Sequence, residues 1–124
     1  MKLEHIGITI SDNQEINAFY QNILAFELTK TFELNAVLSE KIFGMSKIVS
    51  VYVMQRNDIT LEIFVHPEVS AQKYNHICLS TKDRESIYKK AIVHHYLCVR
   101  IKRDQWDMVF IKDKIGNLFE IKPF

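Results

Sequence analysis

The sequence is poor in the residues that make linkers, cross-links and strongly charged surfaces. Its 124 residues include 3 Gly, 2 Pro, 2 Cys and 1 Trp, and 16 Lys and Arg against 15 Asp and Glu leave a net charge of +1. So few Gly and Pro, with no Ser-rich tract, argue against a flexible linker or a disordered tail. The balance of charge argues against nucleic-acid binding through a general basic field.

The N-terminal segment MKLEHIGITI has neither the length nor the apolar character of a signal peptide or a membrane span, because Lys2, Glu4 and His5 interrupt it. We therefore expect a cytoplasmic protein with no membrane partner. Cys78 and Cys98 form no CxxC motif and have no zinc-ribbon spacing. Without an export signal, we expect two buried, reduced thiols.

The sequence repeats itself, which is typical of a fold built from two copies of one module. The segment that begins at Glu4 aligns with the one that begins at Asn75, and DITLEIF resembles GNLFEIK near the ends of the two halves. The matched residues include His5 with His76, Asp12 with Asp83, and Glu62 with Glu120. We predict a single domain, residues 1–124, with an internal repeat at 1–66 and 74–124.

Each half has the same predicted order of elements, β-α-β-β-β, which indicates an α+β fold of two βαβββ modules. The predicted strands are 3–10, 26–32, 48–55 and 59–65 in the first half, and 76–81, 97–101, 108–112 and 118–121 in the second. Helical spacing predicts buried positions at Ile16, Phe19, Tyr20, Ile23, Ile87 and Ala91. The segment between Glu33 and Ser46 has no counterpart in the second half, and we expect it to form a short helix over a cleft.

Side-chain alternation along the strands separates an aliphatic face from a polar face. The polar face carries His5, Glu62, His76 and Glu120. Burying two carboxylates in one concave site is costly unless a cation neutralises them. A divalent ion held by two imidazoles and two carboxylates meets that condition and keeps positions open for water or substrate. The alternative is that each residue is only solvated or hydrogen-bonded.

The strings HIGITISD, FYQNILAFEL, YNHICLS and FIKDKIGNLFEIK, within this doubled module, resemble the vicinal oxygen chelate superfamily. That superfamily includes glyoxalase I, methylmalonyl-CoA epimerase, fosfomycin-resistance enzymes, extradiol dioxygenases and drug-binding resistance proteins. The resemblance covers essentially the whole chain and implies a curved mixed sheet, or cup, with the helices on its outer face. Its four metal positions match His5, Glu62, His76 and Glu120, a set most similar to small bacterial glyoxalase I. Ala25 stands where many members have Gly.

The resemblance implies a metal-dependent isomerase or lyase, similar to lactoylglutathione lyase, that acts on a small molecule with vicinal oxygens. A 2-oxoaldehyde hemithioacetal, formed with a thiol, is one such substrate. One divalent ion per site, Ni, Co, Zn, Mn or Fe, would bind two substrate oxygens and stabilise an enediolate, with Glu62 or Glu120 as the catalytic base. In this family two modules make one site, within a chain or across a dimer, and we expect a homodimer.

Two further functions stay open at this point: a non-catalytic module that binds a planar drug-like molecule, and an Fe(II) ring-cleaving dioxygenase. The residues that we expect to contact a small-molecule substrate are Thr9, Phe43, Tyr52, Met54, Trp106 and Phe110. An aromatic residue at strand spacing is otherwise part of the core. His66 shares the face of Glu62 but lies about 13 Å along the strand, too far to bind the same ion.

Overall fold

The computed structural model describes residues 3–68 and 76–124, which belong to two compact units, Met1–Val69 and Ser70–Phe124. The first unit contains β1 (Ile6–Ile10), a π-helix (Ile16–Gln21), β2 (Glu27–Leu34), α1 (Ala36–Phe43), β3 (Val49–Arg56) and β4 (Ile59–Val65). The second contains β5 (His76–Thr81), α2 (Arg84–Val93), β6 (Cys98–Ile101), β7 (Met108–Lys112) and β8 (Leu118–Pro123). The α+β fold of two βαβββ modules is confirmed. Among the helices of these described ranges, none has the length and apolar character that crossing a membrane requires.

Each unit contains one four-stranded mixed sheet, and the two sheets have the same topology. The strand order is β1-β4-β3-β2 in the first unit and β5-β8-β7-β6 in the second. In both, the first strand runs parallel to the last, and the remaining pairs are antiparallel. Equivalent sequence positions therefore become equivalent sheet positions: Gly7 pairs with Glu62, and Cys78 pairs with Glu120.

One face of each sheet makes the core together with a helix. The predicted core positions of the helices are all buried: Ile16, Phe19, Tyr20, Ile23, Ile87 and Ala91. Leu61 and Ile63 of β4, and Phe119 and Ile121 of β8, are also almost fully buried. Each such side chain contributes about 1.5–3 kcal/mol when it leaves water, so this face fixes the register and turns the alternate residues to the other face.

The first helix is wider than an α-helix. The backbone N–H of Asn22 donates to the carbonyl of Asn17, and that of Leu24 donates to the carbonyl of Phe19, both with i to i+5 spacing. Upstream of it, the Asp12 carboxylate accepts a hydrogen bond from the Gln14 N–H at 2.9 Å. Ala25 follows the helix with a φ of 57°, in the left-handed region that favours glycine.

The segment found only in the first half forms α1, as expected. Asn35 caps its N-terminus, because the side-chain oxygen accepts a hydrogen bond from the Leu38 N–H at 2.9 Å. Gly44 ends the helix with a φ of 73°. Val37 and Ile42 on this helix are exposed.

The prediction that both thiols are buried is wrong. Both cysteines are free, but Cys78 is exposed and Cys98 is only half-buried. Cys78 pairs with Glu120 and so lies on the polar face of the second sheet, while Cys98 pairs with Ile111 on the opposite face. The strand alternation that sets the faces also exposes Cys78.

Candidate metal centre and ligand cavities

A histidine and a glutamate face each other on the polar face of the first unit. His5 immediately precedes β1, and Glu62 lies in the middle of the neighbouring strand β4. The Nε2 atom of His5 is 3.4 Å from Oε2 of Glu62, with the two side chains 48% and 24% exposed. Parallel pairing of β1 with β4 therefore makes an imidazole–carboxylate pair that is half open to solvent.

The second unit builds the same pair from the equivalent positions. The Nε2 atom of His76 in β5 is 3.9 Å from Oε2 of Glu120 in β8, with exposures of 45% and 12%. The repeat in the sequence thus produces two copies of one pair. The structure brings each predicted histidine to the predicted glutamate of its own unit.

The surroundings of the two carboxylates differ. Oε1 of Glu120 is 3.8 Å from Nζ of Lys122, and the Cys78 thiol hydrogen-bonds the same carboxylate. Partial burial, then the charge of Glu120 and this hydrogen bond, raise the pKa of the Cys78 thiol above its ordinary value. Cys78 is therefore a neutral donor to Glu120 at neutral pH.

Both pairs have the donor chemistry and nearly the spacing that a divalent metal ion requires. Imidazole nitrogen and carboxylate oxygen bind first-row ions at about 2.0–2.2 Å, so two neighbouring ligand atoms lie about 3.0–3.5 Å apart. The first pair matches this spacing at 3.4 Å, and the second would close slightly from 3.9 Å. Within each unit, the described residues form no group of three or more His, Cys, Asp and Glu that could hold an ion. Each unit therefore offers a pair of ligands.

A cavity of about 160 Å³ opens on the polar face of the first sheet. Ser39 and Phe43 of α1 line it, which confirms the prediction of a short helix over a cleft. The rings of Phe43 and Phe64 meet edge to face, with centroids 5.2 Å apart. Thr9 lines the same cavity, so two of the predicted substrate contacts, Thr9 and Phe43, share one space.

A wider cleft of about 460 Å³ lies on the polar face of the second sheet. It is lined by Glu120, by Lys122 and by the loop that carries Arg103 and Trp106. Phe110 pairs directly with Glu120 across β7 and β8 and therefore lies on the same face. Trp106 and Phe110 are thus both placed near the carboxylate that pairs with His76.

Tyr52 and Met54 do not lie with the other predicted substrate contacts. Tyr52 pairs with Ile63, and Met54 pairs with Leu61, so both point to the core face of the first sheet. Met54 is fully buried there. The positions that share the face of Glu62 are instead Val51 and Val53. The prediction that Tyr52 and Met54 contact the substrate is therefore wrong, because both lie on the core face of the sheet and not on the face of the cavity.

Three residues that line the first cavity were not among the substrate contacts predicted from the sequence. Phe64 and His66 line the first cavity, and both follow Glu62 at the two-residue spacing of one strand face. Lys47 also lines it, from the loop after α1. The alternation of side chains along β4 could have predicted that Phe64 and His66 lie on the face of Glu62. Nothing in the local sequence predicts that Lys47 lines the cavity.

The chain matches the family model of the Glyoxalase/Bleomycin resistance protein/Dioxygenase superfamily over residues 2–121. A search of curated proteins finds no match.

Solved structures share the fold at low sequence identity. A glyoxalase family protein from Enterococcus faecalis is 19% identical, with a TM-score of 0.71, over 97% of this chain and 95% of that chain. A glyoxalase family protein from Bacillus cereus is 14% identical, with a TM-score of 0.77, over 99% and 93%. A mutant of the fosfomycin resistance protein FosX from Listeria monocytogenes, complexed with Mn(II) and 1S,2S-dihydroxypropylphosphonic acid, is 18% identical, with a TM-score of 0.74, over 98% and 90%. Because the family model spans nearly the whole chain, the protein belongs to the glyoxalase/bleomycin resistance protein/dioxygenase superfamily.

Proposed function

We propose that the protein is a metal-dependent isomerase or lyase of the glyoxalase type, acting on a small molecule with vicinal oxygen atoms. The observation that carries the proposal is the imidazole–carboxylate pair, built twice from equivalent positions with separations of 3.4 Å and 3.9 Å. The proposed ligands of one divalent ion are His5, Glu62, His76 and Glu120. The Mn(II) in the FosX structure supports the use of a divalent ion in proteins of this fold.

The metal ion supplies Lewis-acid stabilisation of negative charge on the substrate oxygens when it is bound. The chain itself moves the proton, and we assign that role to Glu62. Among the described residues, Glu62 has an ion pair only with His5, whereas Glu120 also contacts Lys122 and Cys78. Glu62 takes a proton from the carbon that bears the hydroxyl group and returns it to the neighbouring carbonyl carbon, while the hydroxyl proton moves to the former carbonyl oxygen, so that the hydroxyl and carbonyl groups exchange places with no net loss of a proton.

The cavities bind and orient the substrate in this proposal. Thr9 and Phe43 contact it in the first unit, and Trp106 and Phe110 contact it in the second. Aromatic walls favour the apolar part of a ligand and exclude water from the carbon that loses its proton. A 2-oxoaldehyde joined to a thiol has the required vicinal oxygens and an apolar sulfur substituent.

The metal content of the protein tests the proposal. Glu62→Gln and Glu120→Gln each replace a charged ligand by a neutral one, and we expect each to weaken metal binding about tenfold or more. Glu27→Gln, at an exposed position of β2, is the matched control and is expected to retain the metal. The measurement is elemental analysis of protein purified without added metal, together with turnover of methylglyoxal plus a thiol. Unchanged metal content and turnover in both ligand variants would contradict the proposal.

The roles of the two glutamates, metal ligand and catalytic base, are distinguished by adding metal back to each variant. Saturating metal is expected to restore most of the turnover of Glu120→Gln, because that variant lacks a ligand and keeps the base. Glu62→Gln is expected to remain about 10²–10⁴-fold slower at saturating metal, because it lacks the group that moves the proton. The reverse result would assign the proton transfer to Glu120.

The second candidate function is a binding module that holds a planar molecule without catalysis. The cleft of about 460 Å³ beside Trp106 favours it, because an exposed indole offers a flat stacking surface. Elemental analysis distinguishes the candidates: nickel, cobalt, zinc or manganese supports the isomerase, iron supports oxygen chemistry, and protein that binds no ion supports the module.

A further inference from the structure

The two His–Glu pairs differ at one position of the sheet. Gly7 pairs with Glu62 across the parallel strands β1 and β4. At the equivalent position of the second unit, Cys78 pairs in the same way with Glu120. Gly7 and Cys78 each lie two residues after the histidine of their pair and so share its face. The residue opposite the glutamate therefore has no side chain in the first unit and a thiol in the second.

Glu120 is held by its neighbours. The Cys78 thiol hydrogen-bonds its carboxylate, and an ionised carboxylate can only accept, so the sulfur is the donor. Thiols are weak donors, but a charged acceptor strengthens the bond. Nζ of Lys122 is 3.8 Å from Oε1 of the same carboxylate. Glu120 thus has two neighbours, besides the histidine of its pair, that fix the orientation of its carboxylate.

Glu62 has fewer restraints. Among the residues that the structure describes, it has an ion pair with His5 only, and its side chain is 24% exposed against 12% for Glu120. Gly7 offers no donor to it. A Cβ atom at Gly7 would lie 3.6 Å from the ring of Phe64, which is an ordinary contact. Crowding therefore does not require glycine here, and a side chain can be introduced beside Glu62.

We infer that Cys78 is a positioning residue, whose thiol fixes the Glu120 carboxylate for metal binding, while glycine at the equivalent position leaves Glu62 able to turn and move the proton. The inference rests on the proposed function for the ion and the proton transfer. Hydrogen bonds from neighbouring groups orient metal ligands, and their loss typically costs about 10–100-fold in metal affinity. For a weak donor such as a thiol, we expect a loss of about five- to tenfold.

Three cysteine variants test the inference. Cys78→Ala removes the donor, whereas Cys78→Ser keeps a hydroxyl donor of similar size. Cys98→Ala is the matched control, because the Cys98 thiol donates to the Tyr96 carbonyl at 3.4 Å but lies on the opposite face of the sheet. Cys78 is exposed, so its variants are expected to fold, and thermal melting checks this.

Binding of Mn²⁺ to metal-free protein, followed by calorimetry, is the first measurement. Mn²⁺ prefers oxygen ligands to sulfur, so a loss of affinity reports the orientation of Glu120 rather than the loss of a sulfur ligand. We expect Cys78→Ala to bind Mn²⁺ about five- to tenfold more weakly than wild type. Cys78→Ser and Cys98→Ala are expected to stay within about threefold of wild type.

Zn²⁺ is the second probe, because it accepts sulfur ligands. Similar losses for Zn²⁺ and Mn²⁺ in Cys78→Ala are the expected result for a residue that acts through Glu120. A loss that is far larger for Zn²⁺, and that Cys78→Ser does not restore, would make Cys78 a direct ligand and overturn the inference.

Carbon-13 NMR of metal-free protein tests the hydrogen bond without the ion. The Glu120 carboxyl signal is expected to move in Cys78→Ala and to move less in Cys78→Ser. Gly7→Cys introduces the same donor beside Glu62, and Gly7→Ala is its steric control. We expect Gly7→Cys to move the Glu62 carboxyl signal more than Gly7→Ala does, and to lower kcat about tenfold relative to it, because a carboxylate held by a donor transfers the proton less readily.

The outcomes separate this inference from the proposed function. Equal Mn²⁺ affinity of Cys78→Ala and wild type, or a Glu120 signal that does not move, would overturn the role of Cys78. Equal kcat of Gly7→Cys and Gly7→Ala would overturn the role of the glycine. Wild type that binds Mn²⁺ but does not turn over methylglyoxal plus a thiol would contradict the proposed function, while weaker binding by Cys78→Ala would still support the positioning of Glu120.

Discussion

Ala25 has a backbone conformation that its side chain disfavours. Its φ of 57° is left-handed, which costs an L-residue about 1–2 kcal/mol, while glycine adopts it freely. Because glycine also loses more freedom on folding, we expect Ala25→Gly to raise the free energy of unfolding by only about 0.5–1 kcal/mol. Chemical denaturation measures the change.

An alanine-to-glycine substitution at a position with ordinary helical geometry is the control for this prediction. Ala36 is the first residue of α1 and has helical geometry, so Ala36→Gly is expected to lower the free energy of unfolding by up to about 1 kcal/mol. If both variants were destabilised equally, strain at Ala25 would not be the explanation.

Arg100 joins three elements of the second unit. Its guanidinium group donates to Glu85 of α2 at 2.8 Å and 3.0 Å and to Asp107, just before β7, at 2.7 Å. The hydrogen bond from Arg100 holds the pKa of Glu85 below its ordinary value of 4.5, with a smaller effect from Arg84. The hydrogen bond from Arg100 likewise lowers the pKa of Asp107.

These carboxylates predict a pH dependence of stability. A group with a lowered pKa in the folded state stabilises the protein above its ordinary pKa, and the contribution is lost as the pH falls through the folded value. At pH 7, we expect Glu85→Gln to melt about 1–3 °C below wild type, since exposed ion pairs contribute little. The difference should shrink below pH 4.5, where the unfolded chain takes up a proton at Glu85 first, and should disappear once the pH has fallen through the lowered pKa of Glu85 in the folded state.

Thermal unfolding followed by circular dichroism between pH 7 and pH 2 measures this effect. Glu40→Gln, at an exposed position of α1, serves as the control and should differ little from wild type at every pH. A difference for Glu85→Gln that stays constant down to pH 2 would contradict the role of its charge.

The strands show why the sequence predicted some faces and not others. In β4 and β8 each glutamate is flanked on both sides by large apolar residues, so the alternation of side chains alone predicts that Glu62 and Glu120 lie on the face opposite the core. β3 is apolar on both faces, since Val51 and Met54 are both fully buried on opposite sides. Alternation carries no signal in such a strand, and only the pairing with β4 determines which residues face the cavity.

The helices show a similar limit. The spacing of Ile16, Phe19 and Tyr20 predicted the buried face but did not distinguish a π-helix from an α-helix, because both turn these positions to one side. The cavity residue Lys47 depends on how the chain returns from α1 to β3, which is a tertiary property. Local patterns thus predicted the elements and the two His–Glu pairs, while the cavity walls required the three-dimensional structure.

Each subunit carries two pairs of proposed metal ligands, and the two pairs that bind one ion can belong to one subunit or to two. We propose a homodimer in which His5 and Glu62 of one subunit act with His76 and Glu120 of the other. Glu62→Gln and Glu120→Gln subunits, mixed after unfolding and refolding, would then form hybrids with one intact site. Random pairing predicts that these hybrids add about a quarter of wild-type turnover to the residual turnover of the two variants.

The outcome distinguishes this arrangement from a site within one chain. Sites made within one chain would give no recovery on mixing, whatever the oligomeric state. Refolded wild type alone is the control for losses during refolding, and light scattering reports whether the refolded protein is dimeric.

The strand order within each sheet has a mechanical consequence. His5 immediately precedes β1, and His76 is the first residue of β5. Each of these two strands has a hydrogen-bonded neighbour on one side within its own sheet. The strands that carry the glutamates, β4 and β8, are paired on both sides. The outer strand of a sheet opens more readily than an inner one. An ion bound to both residues of a pair would therefore link the edge strand to the inner strand beside it. Loss of the ion would let the edge strand open first.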